Sequence, residues 1–371
     1  MPSKINIDPP LLNAACPWST TLEDIKALYD SPYTGAVTIR TSLLEGFSHD
    51  DSIHQFIFFE PGKTIPQGTP VGDVSARVPT TTTSTSSSDS TSSPENSSTT
   101  TTTTATPISS VNTLGYSPLT LSEYLGIINE IVGQRHLGTD TPTKKPFILS
   151  VTGTPDEIAM AYALVANAAE MDEDLRLNLE INLSCPNIHG APPPAYDPVQ
   201  LTQYLEAISD SKSTYRGRMA SPDSVPRVGI KLPPYTYTTQ FTVLANLLVA
   251  AKSSEPGEGC VVDFITATNT LGGSLLLDSD NKPVLNSEAG NGIGGLAGAA
   301  LHPLAVGNVA QLRRVLELHP DTRDIAIIGV GGVSDKAAAD RFKAVGAHAV
   351  GVATALGRYG LDVFEKITKG T

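Results

Sequence analysis

The sequence predicts an α/β chain built as a (β/α)8 TIM barrel, with extra β structure and a disordered Ser/Thr-rich insert between its second and third strands. Three observations carry this reading. Short β-branched runs alternate with longer helix-periodic runs eight times, the count of a closed barrel. Small or polar residues stand just after several strand runs, where α/β folds handle ligands. Two glycine clusters, Gly292-Ile293-Gly294-Gly295 and Gly329-Val330-Gly331-Gly332, fall after the sixth run and at the end of the seventh. A doubly wound open sheet gives a similar alternation, so the count alone does not separate the two.

In chain order the strands are expected at 11–15, 36–40, 147–151, 177–183, 228–232, 262–268, 325–330 and 347–353. Helices are expected at 21–29, 119–132, 155–170, 198–209, 239–251, 303–318, 335–345 and 361–368. Thr154 before Pro155 is a helix start signal of the usual kind, a capping hydroxyl followed by proline. The excursion from Thr41 to Pro146 is too long for one loop and is expected to carry the additional strands. Within it, 21 of the 25 residues from Thr80 to Thr104 are Ser or Thr. Such a stretch has nothing to bury against the entropy of ordering it, so disorder is expected. The chain is read as a single domain over 1–371, interrupted by this insert at 78–108.

Composition excludes several function classes. The net charge is −13 with no basic stripe, which argues against nucleic acid and anionic membrane. No window approaches the ~20 apolar residues of a membrane span. Three cysteines (Cys16, Cys185, Cys260) and an N-terminus without an apolar signal core suit a reducing, cytoplasmic setting. The seven histidines show no spacing with cysteines or carboxylates that would make a metal site, and none is expected.

The strand ends supply candidate chemistry. Asn182-Leu183-Ser184-Cys185-Pro186-Asn187 places a cysteine between amides, a possible proton-transfer group beside groups that read a flat ligand. Lys231 ends the run Val228-Gly229-Ile230, where an ammonium needs an anionic or electron-rich partner. Backbone N–H groups of the late glycine clusters suit a phosphate, and loops after barrel strands seven and eight commonly bind one.

Asn-Leu-Ser-Cys-Pro-Asn, Lys231-Leu-Pro-Pro-Tyr and the two glycine clusters together resemble the soluble class 1 dihydroorotate dehydrogenases, specifically the 1A type. The resemblance runs through most of the chain outside the insert. It implies FMN as cofactor, a dihydropyrimidine as substrate and a soluble electron acceptor such as fumarate. It also implies a cytoplasmic homodimer that oxidises dihydroorotate to orotate in pyrimidine synthesis. Cys185 would be the general base and Lys231 would lie against the flavin. Asn112, Asn182, Asn187, Asn269, Thr270 and Arg40 would hold the substrate. Ala14, Ala15, Arg40 and Lys231, with Gly294, Gly295, Gly331, Gly332, Ala353 and Thr354, would hold the cofactor. The segment from His189 to Tyr196 would close over the substrate.

Two departures stand out. Arg40 replaces the family's usual lysine, and Ala14-Ala15-Cys16 replaces its Ala-Ser-Gly. These leave two alternatives open, a paralogue acting on another dihydropyrimidine such as dihydrouracil, or a catalytically silent binder of FMN or pyrimidine.

Overall fold

The computed structural model describes residues 5–62, 69–72, 108–136, 145–172, 175–184, 193–219, 224–253 and 259–370. The strands among them are β1 (Leu11–Asn13), β2 (Val37–Thr38), β3 (Phe56–Phe59), β4 (Ser109–Asn112), β5 (Phe147–Val151) and β6 (Leu177–Asn182). They continue as β7 (Arg227–Leu232), β8 (Phe264–Ala267), β9 (Leu271–Ser274), β10 (Gly294–Gly298), β11 (Ala326–Val330) and β12 (Ala349–Val352). The eight expected runs pair in parallel in the order β1-β12-β11-β8-β7-β6-β5-β2. A parallel bridge between Leu12 and Ala36 joins the two ends, so the sheet is a barrel and the open-sheet alternative is excluded. Because β2 is so short, the Asn13 side chain substitutes for missing ladder bonds. Its Nδ2 donates to Thr38 O at 2.6 Å and its Oδ1 accepts from Thr38 N at 3.0 Å.

Eight expected helices surround the barrel: α1 (Leu22–Asp30), α2 (Leu121–His136), α3 (Pro155–Met171), α4 (Pro198–Arg216), α5 (Thr238–Ala250), α6 (His302–Leu316), α7 (Lys336–Ala344) and, after one addition, α9 (Asp362–Lys369). The addition is α8 (Thr354–Tyr359), whose six residues are too few for helical periodicity to show in sequence. At α3 the start signal is a full capping box, with Thr154 and Glu157 each bonding the other's backbone N–H.

Strand alternation sorts the side chains. On β6, Leu177, Leu179 and Ile181 join the apolar shell beneath the helices, while Asn178, Glu180 and Asn182 occupy the alternate, inward-facing positions. The barrel base is apolar, filled by Leu12, Ile148, Phe264, Ala326, Ile328 and Ala349. Phe264 lies over Gly229, where any Cβ would meet its ring at 2.2 Å. Burying that ring contributes roughly 2–3 kcal/mol. Above this layer the interior turns polar, and the ligand chemistry begins there.

The extra β structure is an antiparallel sheet ordered β3-β4-β10-β9. Two of its strands lie in the expected excursion. The other two come from 271–298, where glycine-rich runs such as Leu271–Ser274 carry little strand propensity. The predicted insert at 78–108 lies outside the described residues except for Ile108. Ile108, placed at the insert's edge by sequence, is buried, and its carbonyl accepts the Ala299 N–H. Among the described residues no helix is long and apolar enough to cross a membrane.

Candidate active site

Lys231 is 5% exposed near the end of β7, register-paired with Asn182 on β6 and Thr266 on β8. It lines both halves of an elongated cavity at the C-terminal ends of the barrel strands, beneath the small sheet. The halves share Ala15, Lys231, Asn269, Thr270, Ala297, Ala353 and Thr354. Among the described residues no carboxylate forms an ion pair with Lys231, so its charge is available to a ligand.

One half holds the amides. Asn112, Asn182, Asn269, Thr270 and Arg40 all line it. Cys185 and Asn187 lie outside the described residues. So does the first half of the segment expected to close over the substrate, 189–192, while its return at 193–196 is described. Tyr235 Oη anchors that return by donating to Ala195 O at 2.7 Å.

The hydrogen bonds fix what each amide offers. Asn182 Oδ1 accepts from Ser184 N at 3.2 Å, Ser184 Oγ at 3.0 Å and Asn269 Nδ2 at 3.1 Å. Its Nδ2 donates to Thr41 Oγ1 at 3.2 Å, which leaves one N–H. Asn269 spends both N–H groups, the second on Ser184 Oγ at 2.9 Å, while its Oδ1 accepts from Thr270 N and keeps one lone pair. The pair therefore presents a donor and an acceptor side by side, the complement of a ring C=O next to an N–H. Arg40 is buried, and its Nη2 donates to Gly115 O at 3.3 Å, tying β2 to the turn after β4. Burial pushes the neighbouring Cys16 thiol up to about 11.

The other half is an anion cradle. Gly331 and Gly332 follow β11 beside Ser334, with Ala14, Ala353 and Thr354 also lining the cavity. Gly332 has a φ of +69°, and a Cβ there would lie 2.7 Å from Gly298 O. Glycine is thus required here by the left-handed φ and by the close packing of this turn against Gly298, Ala299 and His302. His302 braces the loop from behind. Arg341 Nε donates to His302 Nε2 at 2.8 Å, so Nδ1 carries the proton and donates to Gly331 O at 2.7 Å. Burial lowers the His302 pKa, which keeps this neutral tautomer. Thr268 Oγ1 is buried at the wall with no partner among the described residues, a polar atom that a bound ligand would satisfy.

Gly294 and Gly295 stand elsewhere. They open β10 against β4, where Asn112 Nδ2 donates to Gly295 O at 3.2 Å. The cavity wall is made by the far end of the same strand, Ala297 and Gly298. Sequence reasoning also passed over Trp18, Gly115 and the buried Glu180. Only Glu180 left a signal, because polar alternation runs back from Asn182. Among the described residues no group of His, Cys, Asp and Glu could hold a metal.

A closed barrel with a glycine-lined recess and an amide-lined pocket meeting at one buried lysine at its strand ends is the architecture of a barrel enzyme. The chain belongs to the dihydroorotate dehydrogenase family, whose model matches residues 84–371. It is 30% identical over 264 residues to the fumarate-type dihydroorotate dehydrogenase of Trypanosoma brucei brucei, covering 71% of this chain and 72% of that protein. The corresponding Trypanosoma cruzi enzyme is 28% identical over 263 residues, with the same coverage of each chain. A crystal structure of ligand-free dihydroorotate dehydrogenase from Eimeria tenella superposes with a TM-score of 0.64 at 16% identity, covering 97% of this chain and 83% of that one, a likeness of fold.

Proposed function

We propose that the protein oxidises dihydroorotate to orotate in pyrimidine synthesis, using FMN and a soluble acceptor such as fumarate. The observation that carries this reading is the single cavity with two chemistries, an anion cradle and a donor–acceptor amide pair, joined at Lys231. The cradle fits the cofactor, since Gly331 and Gly332 line it after a barrel strand and Thr268 offers an unsatisfied hydroxyl. FMN when bound supplies the two-electron acceptor for the hydride that leaves the ring.

This chain's residues do the rest. Gly298, Gly331, Gly332, Ala353 and Thr354 hold the phosphate through backbone N–H groups and hydroxyls. The Lys231 ammonium stabilises negative charge gathering on the adjacent ring. The N–H left on Asn182 reads a pyrimidine carbonyl and the Asn269 Oδ1 reads a ring N–H. Asn112, Asn187 and Thr270 complete the amide shell. Arg40 supplies the charge that favours a substrate carboxylate. Cys185 Sγ takes the proton from the carbon next to the one that loses hydride. The protein works as one domain over 1–371 carrying an insert at 78–108, as a homodimer in the cytoplasm.

Anaerobic bleaching of the flavin tests the assignment. Dihydroorotate should reduce the purified yellow protein within the mixing time of a stopped-flow experiment, and dihydrouracil should not. Bleaching by dihydrouracil alone would make the protein a paralogue for another ring. Yellow protein that neither compound reduces would make it a silent binder.

A further inference from the structure

One buried acid remains without a role. Glu180 faces the barrel interior one inward position below Asn182, 2% exposed. Its Oε1 accepts from Ser150 Oγ at 2.9 Å and its Oε2 from Thr266 Oγ1 at 2.5 Å. Ser150 Oγ lies 2.9 Å from Thr41 Oγ1, and Thr41 Oγ1 receives the Asn182 Nδ2–H. Ser150, Thr41, Asn182 and Thr266 are all buried, and the hydrogen bonds run directly from side chain to side chain.

We propose that Glu180 is a positioning residue, a buried carboxylate that dictates through Ser150 and Thr41 which way the Asn182 amide faces. The logic is one of proton count. A carboxylate only accepts, so Ser150 must spend its hydroxyl hydrogen on Glu180. Thr41 must then donate to Ser150, which leaves Thr41 Oγ1 able only to accept from residue 182. Nδ2 is therefore held toward Thr41 and Oδ1 toward Ser184 and Asn269. A flipped Asn182 would set an oxygen against Thr41, which has no hydrogen left, and two amino groups against each other at Asn269. Leaving such buried groups unpaired is what penalises the flip. The donor that Asn182 offers the ligand is thus set jointly by the Ser184 N–H and by a carboxylate two hydroxyls away. Only the naming of a pyrimidine as that ligand rests on the proposed function.

The relay predicts that polarity can be reversed by moving the carboxylate. In the flavin-loaded full chain, Asn182→Asp puts an acceptor opposite Thr41, which cannot donate while Glu180 is present, so the thermal midpoint should fall. Adding Glu180→Gln lets its Nε2 donate to Ser150, Ser150 to Thr41, and Thr41 to Asp at 182. The double variant should therefore recover more than half of the lost midpoint, and Ser150→Ala in that background should remove the recovery. If Asn182→Asp alone does not fold, folding of the double variant supports the relay and its failure to fold overturns it. A double variant as unstable as the two single losses summed also overturns it. Glu180→Gln alone should weaken orotate binding, read from the flavin spectrum, by about tenfold. Binding within twofold of the parent overturns the link to the ligand. A parent protein that neither binds orotate nor is reduced by dihydroorotate would sink the proposed function, while the midpoints still judge the relay.

Discussion

Cys16 shows how much a single side chain's surroundings decide. It lines the amide half of the cavity a short distance from Lys231, yet desolvation outweighs the help of Ser19 and Lys231 and lifts its thiol from 9.0 to about 11. At neutral pH it is an apolar wall and no second base. Its folded pKa lies above the unfolded one, so the stability this thiol contributes is complete below about 9 and is lost as pH rises toward about 11. The shift corresponds to about 3 kcal/mol at most. Cys16→Ala should flatten the alkaline fall in stability, read as the difference between urea midpoints at about pH 8 and about pH 10. An unchanged difference would mean that the thiol ionises as easily in the folded protein as in the unfolded. Arg40 gives the second residue-scale prediction. Its fork bonds Gly115 O from a buried position, and a lysine point charge would not reproduce that geometry. Arg40→Lys should raise KM for dihydroorotate about tenfold while FMN stays bound, as expected when a contact of roughly 1.4 kcal/mol is lost. Unchanged KM would show that only the charge matters.

The glycine-bearing elements near the cradle separate function from propensity. Gly332→Ala forces a left-handed φ on a residue with a Cβ and drives that Cβ into Gly298 O. FMN affinity should fall at least tenfold, measured by flavin fluorescence, with the barrel's circular dichroism kept. Gly307, inside α6, has open space where a Cβ would go. Gly307→Ala should stabilise the protein by about 0.5–1 kcal/mol, the helix preference for alanine, without touching FMN binding. A loss of stability there would show a contact to α6 that open space does not suggest. The same elements show what sequence could reveal. The barrel strands and the helices between them were legible because buried parallel strands and amphipathic helices leave strong periodic signals. Asn182, Lys231 and Asn269 were legible because they stand at strand ends. The small sheet was half hidden, since β9 and β10 are glycine-rich, and a cluster such as Gly292 to Gly295 looks alike whether it cradles a ligand or opens a strand. Glu180 and its hydroxyl partners were harder still. Their meaning lies in hydrogen bonds between three strands that are far apart in sequence.

At the scale of the whole molecule, the barrel's closure and its small sheet decide how the chain tolerates its Ser/Thr tract. Val71 bridges Phe56 on one side of β3, and β4 pairs with the other side, bringing Ser109 opposite Phe59. The chain leaving Val71 and the chain returning at Ser109 are therefore about two strand spacings apart across the sheet and three residues apart along it. That separation is roughly 14 Å. Removing Thr80–Thr104 would leave ten residues between Gly72 and Ile108, namely 73–79 and 105–107. Ten residues reach about 33 Å when extended, more than twice the gap. Shortening a loop of this length also lowers its closure entropy cost only slightly, by less than about 2 kcal/mol. The deletion variant should keep its FMN, its turnover of dihydroorotate and a thermal midpoint within a few degrees of the parent. Colourless or inactive protein from that variant would mean the tract supports the site, because the shortened connection is long enough to leave β3 and β4 undisturbed.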